Sequence, residues 1–276
     1  MDCKLIAFDM DGTFLDSAKN IPQKNMDALM RAAERGIHLV PATGRIYTGI
    51  PEALRALPFM RYYICINGAY VYDALEDKTI YEANVPLSDA LRFYEEMDKL
   101  PVMYDCYQDN FGFITRAMYE NAEEYVFDPG ILRLVKLLRT PVDELKAYLA
   151  EKGESVQKLQ VYFKDLALRD RELERLPRLF PELLFSTSVS NNIEVNSGDA
   201  GKDNGLAALC SALSIGLENV IAFGDSSNDD DMLASAGLGI AMANALESTK
   251  RVSNAVTLSN DECGVAAAIE KYVFGA

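Results

Sequence analysis

Leu5-Ile6-Ala7-Phe8-Asp9-Met10-Asp11-Gly12-Thr13 sets a short apolar run directly ahead of two carboxylates spaced two apart. A run of this length reads as a buried strand, and Asp9 and Asp11 leave it at its carboxyl end. In an open α/β sheet that end is where ligands bind, so both acids fall on the functional edge. Read alone, the same residues also describe a solvated turn, because Asp and Gly are common in loops.

The rhythm around this stretch supports the strand. Met26, Leu29, Met30 and Ala33 recur at helical spacing between Pro22, suited to a first helical turn, and Gly36, suited to a stop. Residues 37–40 and 62–66 are the next strand candidates. Near the other end, Leu206, Leu209, Cys210 and Leu213 share a helical face, and residues 220–223, 239–242 and 255–258 are further short strands. Strands separated by helices of this length imply parallel pairing through right-handed crossovers, hence one doubly wound α/β sheet.

Between these two parts the texture changes. Helical stretches at 88–100 and 142–152 mix with extended ones at 156–163 and 183–189, which predicts an inserted α+β domain. The expected division is a core of 1–85 and 190–276 with a cap domain at 86–189. A chain of 276 residues buries either arrangement easily, since single cores stop growing only near about 250 to 300 residues.

The net charge of −15 argues against a nucleic-acid partner, whose phosphates are met by clusters of Lys and Arg. A protein so acidic that handles a phosphate ester needs positive charge placed locally, from a metal ion or a few cations. The N-terminal stretch carries Asp2, Lys4 and Asp9 instead of a signal-peptide apolar run, and no later run approaches a membrane span. A soluble, cytoplasmic protein with no membrane partner is therefore expected, its oligomeric state left open. Cys3, Cys65, Cys106, Cys210 and Cys263 are odd in number, with no Cys-x-x-Cys pair, which indicates neither a disulfide framework nor a zinc site.

Two further strands end in chemically useful residues. The strand at 37–40 runs into Pro41-Ala42-Thr43-Gly44-Arg45, a hydroxyl and backbone donors suited to a phosphate oxygen, although Thr-Gly alone is only a turn. The strand at 220–223 runs into Gly224-Asp225-Ser226-Ser227-Asn228-Asp229-Asp230-Asp231, a stretch suited to an oxygen-preferring cation such as Mg²⁺ or, more plainly, to capping the next helix. Lys202 precedes an amphipathic helix and is within reach of the same edge. It is no Walker lysine, because Asp203 stands where Ser or Thr is required, and the acidic stretch lacks the glycine and glutamate offsets of an EF-hand.

Asp9-Met10-Asp11-Gly12-Thr13, Thr43-Gly44-Arg45, Lys202, and Gly224-Asp225 with Asn228-Asp229 occur in the order of the haloacid dehalogenase (HAD) superfamily, which the chain resembles. The insertion between Thr43 and Lys202 resembles the large cap of its Cof-like, type IIB phosphatases. The resemblance implies Asp9 as nucleophile and Asp11 as general acid and base. It implies magnesium held by Asp9, the Asp11 backbone carbonyl and Asp225, and phosphate oxygens gripped by Thr43, Gly44, Lys202 and Asn228. Asp229 is implied to orient Lys202 or a metal-bound water, and Thr13 and Arg45 to support the site from behind. The substrate class so implied is a small phosphorylated metabolite, a sugar phosphate first. A phosphomutase of the same superfamily and a binding protein that has lost turnover are the rivals.

Plainer readings attach to the remaining candidates. His38, the only histidine, sits inside a strand pattern and reads as a packed or edge imidazole. Tyr62, Tyr63, Tyr70, Tyr72 and Tyr81 read as half-buried strand surface. Asn67-Gly68 reads first as a turn, with its place at the same sheet edge leaving a substrate contact open.

Overall fold

The computed structural model describes residues 2–275. In chain order the strands are β1 (Leu5–Phe8), β2 (His38–Pro41), β3 (Tyr62–Cys65), β4 (Tyr70–Asp73) and β5 (Lys78–Glu82). The inserted segment carries β6 (Val102–Gln108), β7 (Phe111–Thr115), β8 (Arg139–Val142), β9 (Lys158–Phe163), β10 (Leu183–Ser186) and β11 (Asn192–Ser197). The chain finishes with β12 (Val220–Gly224), β13 (Leu238–Ala241) and β14 (Ala255–Val256).

Two compact units result. The first comprises residues 2–45, Ile50–Glu82 and residues 201–275. Among the described residues its main sheet is five-stranded, in the order β14-β13-β12-β1-β2, and every pair in it is parallel. This is the expected α/β sheet. β1 is an interior strand, between β12 and β2, with all four side chains fully buried, because both faces are covered by helices and a parallel strand must then be apolar throughout. Helix Gln23–Glu34 buries Ala28, Leu29 and Ala32, and helix Lys202–Leu213 buries Leu206, Leu209 and Cys210 against Leu5, Ala7, Val40 and Ala222. Each fully buried leucine or valine among these contributes roughly 1.5–3 kcal/mol by leaving water, and each alanine methyl less.

The third strand departs from the sequence expectation. β3 joins the main sheet only through an isolated parallel bridge between Ala42 and Ile64. Its principal partner is β4, antiparallel, in a three-stranded sheet with β5. The cause is local: Ile66, Asn67 and Gly68 all have positive φ (55°, 57° and 90°), which turns the chain straight back on itself. The left-handed region costs a non-glycine residue roughly 1–2 kcal/mol, most awkwardly the β-branched Ile66, so neighbouring structure must hold it there. Tyr62, Tyr63 and Tyr70 are buried on this small sheet, while Tyr72 and Tyr81 are half-buried.

The second unit, Ile46–Gly49 with Ala83–Ala200, is α+β. Its sheet has the order β10-β11-β9-β6-β7-β8, antiparallel except for the β7–β8 pair. Helices Leu87–Met97, Leu145–Lys152 and Leu166–Leu179 cover one face through Phe93, Tyr94, Leu149 and Leu176. The other face carries a polar group in which Arg139 donates to Asp105 at 2.9 Å and Lys158 pairs with Glu194 at 3.2 Å. No helix among the described residues is long and apolar enough to cross a membrane.

Candidate active site

Strand register brings three of the sequence-predicted segments to one edge. Phe8 lies level with Phe223 on one side and Pro41 on the other, so Asp9, Gly224-Asp225 and Ala42-Thr43 leave the sheet side by side at its carboxyl edge. The Asp9 amide donates to the Phe223 carbonyl (3.0 Å), and the Thr43 amide to the Ile64 carbonyl (2.9 Å), fixing both exits. Beyond Asp9 the chain turns so tightly that the amides of Phe14 and Leu15 reach the Met10 carbonyl. Gly12 makes that turn with φ +89°, and a Cβ there would lie 2.5 Å from Asp225 Oδ2. Any other residue would force the Asp225 carboxylate to shift.

Lys202 is the hub of the cluster. Fully buried at the start of its helix, its ammonium donates at 2.6 Å to Asp9 Oδ1 and at 2.6 Å to Asp229 Oδ1. Asp229 Oδ2 in turn accepts from the amides of Asp225 (2.9 Å) and Ser226 (3.1 Å), closing a capping box with Ser226. Thr13 Oγ1 donates to Asp225 Oδ1 at 2.8 Å and the Ser226 hydroxyl to its Oδ2 at 3.1 Å. Burial pushes the Asp9 carboxyl well above the usual range, with Asp229 and Asp225 adding to the rise and Lys202 opposing it. Burial and then Asp229 also raise Asp225. Burial would lower Lys202, but the two carboxylates outweigh it and keep the ammonium charged.

Asp11 stands apart from this cluster. Its carboxylate accepts from Arg45 Nε and Nη2, each at 2.8 Å, and pairs with Lys19 at 2.8 Å. Burial alone would raise its pKa, yet the hydrogen bonds and charges of Arg45 and Lys19 hold it below the ordinary carboxylate value. Asn228 lies across the edge, its Nδ2 donating to Asn67 Oδ1 at 3.3 Å. Gly44 follows Thr43, whose hydroxyl accepts from the Arg45 amide at 3.2 Å.

Three neighbours escape sequence reasoning as site residues. Lys19 sits in an ordinary polar loop with no local signal. Ser226 hides inside the acidic stretch, and Asn244 reaches from a distant loop to the Gly12 carbonyl at 2.8 Å. His38 packs edge-on to Tyr62 with ring centroids 5.6 Å apart, as a sheet-edge imidazole does. Cys65, Cys106 and Cys210 are buried among apolar neighbours.

A divalent cation fits this chemistry. Asp9, Asp225 and Asp229 each offer a carboxylate oxygen within 4.8 Å of the others. Lys202 is the ammonium paired with Asp9 and Asp229, and one such cation cannot balance three carboxylates, so ionising all of them calls for further positive charge. An all-oxygen donor set of this kind suits a hard dication.

Parallel sheet, antiparallel insertion and acidic carboxyl edge together define a hydrolase class, and the chain belongs to the haloacid dehalogenase-like hydrolase family, whose model matches residues 6–269. It is 30% identical to the 5-amino-6-(5-phospho-D-ribitylamino)uracil phosphatase YcsE of Bacillus subtilis (strain 168), over 99% of this chain and 97% of that one. It is 29% identical to the pyridoxal phosphate phosphatase YbhA of Escherichia coli (strain K12), over 96% and 97%. Its fold superposes with a TM-score of 0.80 on a sugar phosphatase of HAD subclass IIB, at 21% identity and 99% coverage of both chains, a likeness of fold. The chain is accordingly a Cof-like phosphatase, a hydrolase of phosphate esters.

Proposed function

We propose that this phosphatase is magnesium-dependent and removes phosphate from a small metabolite, a sugar phosphate first, through a phosphorylated Asp9. The observation that carries the reading is the buried Lys202 ammonium bound to both Asp9 and Asp229, beside Asp225. A cation so placed fixes the Asp9 carboxylate and would attract a phosphate oxygen bound at the same edge.

In the first half reaction an Asp9 oxygen attacks phosphorus in line, and the bond to the leaving alcohol breaks as Asp11 gives that oxygen a proton. In the second, water attacks the same phosphorus, Asp11 takes its proton, and Asp9 departs with inorganic phosphate released. Thr43, Gly44, Lys202 and Asn228 grip the phosphate oxygens meanwhile. Asp9, the Asp11 carbonyl and Asp225 would hold the magnesium, which would offset the repulsion between an anionic nucleophile and an anionic ester. Arg45 and Lys19 keep Asp11 ionised in the absence of substrate, so its acid role requires that pairing to loosen when the ester binds.

The inserted domain read from the sequence as 86–189 is proposed as the cap that selects the leaving group, while the other unit supplies the chemistry. The test is a panel of phosphorylated sugars, nucleotides and cofactors, with pyridoxal phosphate and a phosphoribityl compound included because relatives act on such molecules. Magnesium-dependent phosphate release with one sugar phosphate far ahead in kcat/KM supports the reading. A preference for a heteroaromatic phosphate overturns the substrate class, and exchange of phosphate between hydroxyls without net release overturns hydrolysis.

A further inference from the structure

We infer that Asn67 is a positioning residue that holds the Asn228 carboxamide for its grip on phosphate; the inference rests on the function proposed above. Asn67 is 7% exposed and sits between β3 and β4 at φ +57°, ψ +31°. Its amide donates to the Thr43 carbonyl at 3.0 Å and the preceding Ile66 amide to the Arg45 carbonyl at 3.0 Å. The backbone of this strained turn is thereby tied to both ends of the Thr43-Gly44-Arg45 segment. Its side chain faces the same way: Oδ1 accepts from Asn228 Nδ2 at 3.3 Å, and a Cβ on Gly44 would stand 2.8 Å from that oxygen.

The arrangement joins two phosphate-gripping segments that are far apart in sequence through one carboxamide. A residue chosen for the turn alone would be glycine, which adopts positive φ without cost. Asparagine is tolerated there less readily than glycine, and its side chain adds an acceptor that fixes which way the Asn228 amide points. Removing that acceptor frees the Asn228 rotamer while leaving the backbone ties in place.

The experiment compares Asn67→Gly, Asn228→Ala and the double variant with the parent, using p-nitrophenyl phosphate for turnover and calorimetric titration of inorganic phosphate for binding, all with magnesium. Glycine keeps the left-handed backbone, so the melting temperature is expected to stay within a few degrees. The expected result for Asn67→Gly is KM and the phosphate dissociation constant raised about tenfold with kcat changed less than about threefold. In the Asn228→Ala background the same change is expected to add less than twofold, since the two then act as one unit. Losses that multiply in the double variant, an unchanged KM, or a fall in kcat that tracks a lowered melting temperature would each overturn the inference. A parent that neither hydrolyses the ester nor binds phosphate overturns the proposed function itself, a distinguishable failure.

Discussion

Arg45 and Asp11 form a two-pronged ion pair, Nε to Oδ2 and Nη2 to Oδ1 at 2.8 Å each, and this pair ties the Thr43-Gly44-Arg45 segment to the turn after β1. The geometry sets the proposed general acid in its ionised form until something draws the guanidinium away. Asp11→Asn is expected to slow alkyl phosphates by about 10²–10⁴-fold and activated aryl phosphates much less, because a good leaving group needs little protonation. Comparing kcat/KM for a matched alkyl and aryl pair checks this; equal losses would remove the acid role.

Asp9→Asn keeps an oxygen for the Lys202 ammonium but cannot attack phosphorus. Turnover is expected to fall by at least about a thousandfold, ~4 kcal/mol in the barrier, with an unchanged circular dichroism spectrum. Activity near the parent's would move the nucleophile elsewhere.

Lys202 is the buried counter-charge to Asp9 and Asp229, so Lys202→Met leaves two largely buried carboxylates without their cation. A loss of about 3–5 kcal/mol in urea unfolding is expected when the metal is chelated, as for other broken buried pairs. A loss under 1 kcal/mol would show that the cluster relieves its charge by taking up protons.

Chelation is expected to abolish turnover and magnesium to restore it, with calcium a poor substitute because it takes more ligands at longer distances. Magnesium at a hundred times its dissociation constant should stabilise the parent by about 2.7 kcal/mol, and Asp225→Ala should lose most of that increment. Scanning calorimetry reads the increment independently of activity.

Asp73 anchors the β3–β4–β5 sheet. Its carboxylate accepts from Arg61 and from the amides of Leu75 and Glu76, and the Arg61 hydrogen bond first, then those amides, hold it below the usual carboxylate value against burial. A carboxyl lower in the folded than the unfolded state stabilises above its unfolded value, near 3.8, and the gain is lost as pH falls through the folded value. Asp73→Asn is expected to cost about 1–2 kcal/mol near neutral pH, with the difference from the parent closing below about pH 4. Urea midpoints at pH 7 and pH 3.5 measure it; a pH-independent difference would assign the loss to packing.

The sequence by itself determined the sheet and its functional edge. Short apolar runs ending in Asp9, Thr43 and Asp225 are local signals: a strand buried on both faces must be apolar, and the first polar residues after it must emerge at its end. Tertiary structure alone decided the partners. Lys202 meets Asp9 across 193 positions and Thr13 meets Asp225 across 212, separations at which no periodicity carries information. The same holds for Lys19 on Asp11, where the meeting depends on how two loops fold back, and for Asn67 on Asn228. The sequence showed Asn67-Gly68 as a turn because turn chemistry is local; that the turn closes an antiparallel hairpin, not a further parallel strand, follows from three successive left-handed residues, a geometry that Ile66 argues against and only its surroundings enforce.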